Sequence, residues 1–371
     1  MRAGVVRRWS VVAAGLAALC SLPVLASALP VSGPALTARQ LRGRILASAD
    51  ESYAGYAESS ATLGLPPLPG LTDVTSLLDG VTKMLVWTAS PEEWRVDVLS
   101  DAGERDTYQL GSRSYVWDSG EELLTEVLGQ PPLRLPRPAD LVPPALAVRL
   151  LGEAGPRAAF TVIPPLRVAG QSAAGLRVTP ADPASTVGHI DIWASGVSGL
   201  PLMVKVFARG SSRPALVSQF FQVSPWRPAA AVLTPVRGPG TGFTVANASD
   251  LAGALNDLGP VLLPTELAGR ARAAALPPYY SIGVYGGGLA TFVVLAVHRS
   301  GLDLVANALS TGGTALSVPD GSGALIQAPL LNAVILAPSR FFLTYLIAGT
   351  VSASLLERAA GTLVADQGVP P

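Results

Sequence analysis

Between residues 81 and 223 the chain keeps returning to short runs in which apolar residues alternate with charged or polar ones, each run bounded by turn-forming residues. In Glu93-Trp94-Arg95-Val96-Asp97-Val98 the tryptophan and both valines fall on one side of an extended backbone and the charges on the other. Repeated over so many segments, this period of two specifies a long antiparallel sheet with one apolar face. Such a face has to be covered by a helix, by a second sheet or by a ligand. The chain therefore reads as a binding protein, and the functional question is what covers the face.

At 371 residues, 49% hydrophobic and 14% charged, the chain is long enough for two packed domains and too apolar for global disorder. Its first 28 residues have the organisation of an export signal. Arg2, Arg7 and Arg8 form a basic start, residues 11–25 an apolar stretch, and Ala26-Ser27-Ala28 a small-residue cleavage site. Export is therefore expected, by the general route rather than through a twin-arginine signal at Arg7-Arg8. An uncleaved segment tethering the protein to the membrane is the alternative, since residues 9–38 carry no charge and are long enough to span. Cys20, the single cysteine, lies inside the apolar stretch, so the mature chain is expected to have no disulfide and no thiolate site. Removing the three leader arginines from 26 basic residues leaves 23 against 26 acidic ones, a net charge of −3. Nothing in that balance points to nucleic acid.

Along the chain, Leu41, Ile45 and Leu46 fall at helical spacing, and an amphipathic helix is expected from residue 35 through about 53, followed by a strand over 53–63. A short helix at 74–78 should lead into strands at 84–88, 94–99, 106–110 and 114–118, joined by tight turns at 101–103 and 111–113. Six prolines between Pro131 and Pro144 exclude both a helix interior and a central strand there, so a long connection crosses the sheet and ends in a helix over 145–153. Strands resume at 158–163, 175–179, 188–193, 201–208 and 216–223. Pro225, Pro228, Pro235 and Pro239, with Gly238, Gly240 and Gly242, then mark a boundary. Beyond it a short helix capped by Ser249 is expected through 257, strand pairs at 281–298 and 332–349, and a helix over 352–363. Residues 273–298 contain no charged side chain with His298 neutral, but Pro277-Pro278 and Gly286-Gly287-Gly288 leave an apolar core too short to span a membrane.

No catalytic constellation accompanies these elements. The two histidines, His189 and His298, are far apart and match no nucleophile elbow or zinc-protease spacing. Glu92-Glu93 and Glu121-Glu122 are neighbours whose side chains diverge, so neither pair suits acid and base work. Gly286-Gly287-Gly288 lacks the following helix of a phosphate loop and reads as a turn or bulge. No enzyme activity, cofactor or metal is expected. Trp94, Trp117 and Trp193 each lie on an expected strand, where they either fill the core or line a cavity. By alternation Trp94, Val96 and Val98 share a face, as do Ile190 and Ile192, and Leu202, Val204 and Val206. On a curved sheet these eight residues are the candidates for a ligand groove on the concave side.

Several pieces taken together resemble the lipoprotein-carrier fold of LolA and the related sigma-factor regulators RseB and MucB. They are Trp94-Arg-Val-Asp-Val98, Tyr115-Val-Trp-Asp118, Val168-Ala-Gly170, Gly175-Leu-Arg-Val-Thr-Pro180, Ile190-Asp-Ile-Trp193 and Gly199-Leu-Pro-Leu-Met-Val-Lys-Val206. After the boundary, Tyr285-Gly-Gly-Gly-Leu289 and Ala348-Gly-Thr-Val351 are similar to the small C-terminal domain of the regulators, although Gly287 stands where an acidic residue is often found there. The resemblance implies an α+β protein: a strongly curved, unclosed antiparallel sheet or half-barrel covered by helices over 35–223, a linker at 224–241 and a smaller α+β domain over 242–371. It implies a noncatalytic regulator or sensor outside the cytoplasmic membrane. Its partners would be an acyl lipid or lipoprotein and the outer segment of a membrane protein such as an anti-sigma factor. A LolA-like carrier of lipid or lipoprotein acyl chains is the alternative.

Overall fold

The computed structural model describes residues 36–63, 76–101, 103–129, 136–248, 261–273, 281–297, 302–318, 321–338 and 343–366. The expected leader, the helix expected at 249–257 and His298 lie outside these residues. The first described element is helix α1 (Ala38–Ala47). Thr37 caps it reciprocally with Gln40: the Gln40 N–H donates to Thr37 Oγ1 at 3.3 Å and the Thr37 N–H to Gln40 Oε1 at 3.0 Å. The helix is shorter than its periodicity suggested. Residues 48–50 tighten into a 3₁₀ turn, and the Ser48 hydroxyl donates back to the Ile45 carbonyl, freeing the chain to enter a strand at Tyr53.

Strands β1 (Tyr53–Thr62), β2 (Asp79–Ser90), β3 (Glu93–Ser100), β4 (Gly103–Leu110), β5 (Arg113–Asp118) and β6 (Leu123–Leu128) follow as an antiparallel meander. A proline-rich connection leads to helix α2 (Pro143–Glu153), whose first two residues are both proline. Proline is tolerated there because the first turn of a helix has no partner for its N–H groups. Strands β7 (Ala159–Val168), β8 (Gln171–Thr179), β9 (Val187–Ser195), β10 (Pro201–Ala208) and β11 (Pro214–Ser224) complete the run, and β11 returns to pair with β1. The order is β6-β5-β4-β3-β2-β1-β11-β10-β9-β8-β7, open at both ends. β7 carries Pro164 and Pro165 at a register irregularity, which only an edge strand accommodates.

The linker contributes more than its prolines suggest. A short helix α3 (Ala230–Leu233) lies against β3, and strand β12 (Gly242–Asn247) pairs in parallel with β6, making a twelfth strand. Residues 242–247, which sequence reading groups with the second unit, are thus hydrogen-bonded to the first sheet. The remainder forms a two-residue-per-strand ribbon β13 (Glu266–Leu267) and β14 (Arg270–Ala271), then β15 (Ile282–Gly287), β16 (Ala290–Val297), helix α4 (Leu302–Ser310), β17 (Thr314–Val318), β18 (Gly321–Gln327), β19 (Asn332–Pro338), β20 (Thr344–Gly349) and helix α5 (Ala353–Asp366). The six-stranded sheet has the order β15-β16-β20-β19-β18-β17. β19 is apolar on both faces because both are covered: Val334 and Leu336 pack with Leu355, Leu356 and Ala359 of α5, Ile335 and Ala337 with Val305 and Ala308 of α4. Among the described residues no helix is long and apolar enough to cross a membrane.

Polar contacts dock the two sheets. The loop between β8 and β9 reaches into the second domain, where the Ser185 hydroxyl donates to the Leu289 carbonyl at 2.6 Å and the Thr186 hydroxyl to the Leu330 carbonyl at 2.7 Å. Backbone bonds from Thr186 N–H to Thr350 and from Ser352 N–H to Ala184 extend the contact. Arg270 closes it with a double hydrogen bond to Asp182 at 2.5 and 3.1 Å. Gly288, at φ +61°, sits so near the first domain that a Cβ there would lie 2.2 Å from the Glu153 carbonyl oxygen. This accounts for one glycine of the triplet through close approach as well as turn geometry.

Candidate ligand groove

The apolar face of the large sheet is covered in two different ways. Over β8, β9 and β10 it is sealed by the helices: Leu41 and Ile45 of α1 and Leu146, Ala147 and Leu151 of α2 pack on Leu176, Val178, Ile190, Ile192, Val204 and Val206. Ile190, Ile192 and Val204 are fully buried there, as is Leu202 in the neighbouring cluster, and Val206 is nearly so. The turn after β9 locks α1 in place. Gly199, at φ +82°, leaves no room for a side chain beside the Arg44 carbonyl, and the Arg44 guanidinium donates to the Gly196 carbonyl at 2.6 Å.

Over β2 to β5 the cover is thinner. The segment 136–142 packs on this part of the sheet through Ala139, Leu141 and Val142, which cluster with Met84, Val86, Val96 and Phe220, and the Ser218 hydroxyl donates to the Leu141 carbonyl. Two grooves remain beside it. The first, about 370 Å³, has Tyr53, Val86, Trp94 and Val96 on the sheet side and Val142, Ala145 and Val148 opposite, with Arg137, Asp140 and Arg149 among its polar residues. The second, about 440 Å³, is lined by Leu77, Val98, Leu99, Thr107 and Val116, with Arg105, Arg137, Pro136 and Pro138. Both volumes fall in the range of small-molecule sites. Of the eight residues singled out by alternation, Trp94, Val96 and Val98 line these grooves, Val96 being nearly fully buried, while Ile190, Ile192, Val204 and Val206 form the helix-covered core and Leu202 lies in the cluster with Val86, Val96, Leu141 and Val142. Trp94 on β3 and Trp193 on β9 part company as well. Trp94 is half-buried under the Arg137 guanidinium, 5.4 Å from its ring centroid, whereas Trp193 points to the other face and donates to the Pro164 carbonyl at 3.1 Å.

Arg137 was not among the sequence candidates, yet it borders both grooves. Its backbone N–H donates to Asp140 Oδ2 at 2.8 Å, which fixes the turn at 138–141. The signal available in sequence was an arginine isolated between Pro136 and Pro138, which reads only as a rigid connection.

The opposite, convex face carries the buried charges. Arg95 donates to Asp97 Oδ1 at 2.6 Å and to Asp106 Oδ2 at 2.8 Å, and Tyr108 donates to the same Asp106 oxygen at 3.0 Å. Burial pushes the Asp97 carboxyl up to about 7 and the Asp106 carboxyl up to about 6, despite Arg95. Asp97, Glu104 and Asp106 bring carboxylate oxygens within 4.8 Å of one another, a grouping able to hold a metal ion, but the Arg95 guanidinium already supplies positive charge to it. Further along the same face Arg177 grips Asp191 with two bonds of 2.7 Å, and His189 stacks on Phe207 at 4.2 Å. Desolvation holds the His189 imidazole below its ordinary value. His189 lies 3.9 Å from the Asp191 carboxylate, whose oxygens are engaged by Arg177. Glu93 pairs with Arg227 at 3.1 Å, and Glu121 and Glu122 lie in the turn between β5 and β6.

No family model and no curated protein matches the chain. Solved structures do. MucB in its complex with MucA from Pseudomonas aeruginosa is 17% identical, with a TM-score of 0.48, covering 87% of this chain and 96% of that one. A further MucB structure is 18% identical with a TM-score of 0.46 over 87% and 96%. A LolA superfamily protein from Nitrosomonas europaea is 13% identical with a TM-score of 0.25, covering 54% of this chain and 99% of its own. Each is similar to this chain in fold, at low sequence identity.

Proposed function

We propose that the protein is an exported, noncatalytic binding protein that takes an acyl chain, or an apolar segment of a membrane protein's outer domain, into the grooves beside β3. The observation that carries this reading is a pair of apolar grooves bordered by the half-buried Trp94 and Val98 and by a proline-rich cover, on a sheet whose apolar face over β8 to β10 is sealed by its own helices. Apolar surface left at such a site gains free energy when a ligand displaces its water. The second domain, docked through the loop at 180–186, favours a regulator or sensor over a simple carrier. In that role the protein would hold an envelope protein such as an anti-sigma factor, and an acylated signal would act through its differential affinity for the free and partner-bound states.

Native mass spectrometry and lipid extraction on protein purified from its own cell envelope test the reading. Co-purifying acyl lipid, or a stoichiometric envelope protein lost on Val98→Asp substitution, is the expected result. Protein that carries neither, takes up no fluorescent fatty acid and enriches no envelope protein after crosslinking would overturn it. Catalysed transfer of lipoprotein between membranes would instead establish the carrier alternative.

A further inference from the structure

The cleft between the two domains is walled by loops from both. On the first domain's side it is lined by residues 153–157 at the end of α2 and 180–182 after β8, on the second's by the β13–β14 turn at 269–271 and the β15–β16 turn at 286–290. Its volume, about 430 Å³, is that of a small-molecule site. Five of the lining residues are glycine, and four have a reason within the fold: Gly155, Gly269, Gly286 and Gly288 all have φ between +61° and +82°. Gly287 has no such reason. Its backbone lies outside the left-handed region, and a Cβ there would meet no atom within 4 Å. Glycine in a strand costs stability, and where neither conformation nor packing requires it, it marks a place where a ligand or another backbone approaches closely. Gly287 lines the cleft, so the room it leaves is room for a molecule in the cleft.

The charges on the walls add direction. Asp182 and Arg270 bridge the domains and satisfy each other. Glu153 and Arg157 are left over. Both are exposed, and among the described residues neither side chain makes a hydrogen bond or an ion pair, Arg157 acting on Asp182 only at a distance. Glu153 is the last residue of α2, at the negative end of the helix dipole, and the last turn of that helix has no basic residue to offset it. The cleft therefore favours a cation at Glu153 and an anion at Arg157. We propose that it binds a free di- or tripeptide, with the terminal ammonium at Glu153, the terminal carboxylate at Arg157 and the peptide backbone against Gly287. An internal segment of a protein has neither terminus and lacks both charges. A ligand so placed touches both domains at once and holds them together. The site is separate from the grooves beside β3 and independent of acyl binding there.

Calorimetric titration of the purified protein with trialanine tests the proposal. Saturable binding is expected, weakened about tenfold or more by N-acetylation and again by C-terminal amidation, each of which removes a charge-assisted hydrogen bond. Glu153→Gln should erase the difference between trialanine and its acetylated form while keeping the penalty for amidation, and Arg157→Gln should do the reverse. Gly287→Val should abolish binding yet leave the thermal transition of the empty protein unchanged, because the added side chain meets open space. Equal binding of trialanine and its doubly blocked form by the unsubstituted protein, which needs no variant to fold, would overturn the proposal. Binding that survives Gly287→Val unaltered, or no saturable binding at about 10 mM peptide, would overturn it too.

Discussion

Asp97 and Asp106 carry carboxyls that burial holds near neutrality on the convex face of the sheet, and this has a defined thermodynamic sign. In the unfolded chain an aspartate titrates near 3.8, whereas in the folded protein Asp97 retains its proton until about pH 7. Between those values the folded state binds more protons than the unfolded one, so stability is greatest below pH 4 for this contribution and is lost as pH rises through 7. Denaturant unfolding followed from pH 5 to pH 8 should show the midpoint falling, and Asp97→Asn should flatten that fall. A midpoint independent of pH in the unsubstituted protein would contradict it. Gly199 makes a second prediction at this scale. Its φ of +82° and the Arg44 carbonyl behind it leave no place for a methyl group, so Gly199→Ala should cost about 1–3 kcal/mol in denaturant unfolding.

Among the elements, the contrast lies between the sealed and the thinly covered parts of one sheet. Ile192→Ala would open a cavity under α1 and α2 and should destabilise the protein by about 2–5 kcal/mol. Trp94→Ala should cost less stability, because the ring is only partly buried, while weakening acyl-ligand binding about tenfold, measured by fatty-acid titration. Equal effects of the two substitutions on ligand and on stability would mean that both residues serve the core. The first five strands of the meander, the helix after the proline cluster and the final helix were legible from their periods and bounding turn residues, whereas β6 (Leu123–Leu128) was not. Less of α4, β17 and β18 could be read. Leu302–Ser310 is only nine residues long, too few to repeat its period clearly, and Gly321–Gln327 is built largely of small residues. β12 escaped notice because a six-residue strand in a proline-rich linker is stabilised by the edge it meets, with little local preference of its own.

For the molecule as a whole, the docking of the two domains combines backbone and hydroxyl hydrogen bonds with Leu289 and Leu330, which are buried in the first domain's core cluster. The Asp182 and Arg270 side chains are each about a quarter exposed, so their ion pair should contribute no more than about 1 kcal/mol. Asp182→Asn should therefore leave the thermal transition nearly unchanged. Gly288→Val should act differently, forcing a side chain against the Glu153 carbonyl and splitting one calorimetric transition into two as the domains separate. A single unshifted transition in that variant would show that the contact is dispensable.

By itself the sequence determined that this chain builds a long antiparallel sheet with one apolar face, that a proline-rich connection crosses it, and that a second α+β unit follows. These are consequences of local periodicity and backbone restriction, which act within a few residues. Which part of the apolar face would be core and which would be groove was decided only in the tertiary structure. Ile192 and Val96 show the same alternation, and both end up buried; what separates them is that α1 and α2, distant in sequence, seal over Ile192 but leave a groove beside Val96. Arg137 became a shared border of the two grooves for the same reason: its position depends on where the connection crosses β3, a long-range contact that no local pattern encodes.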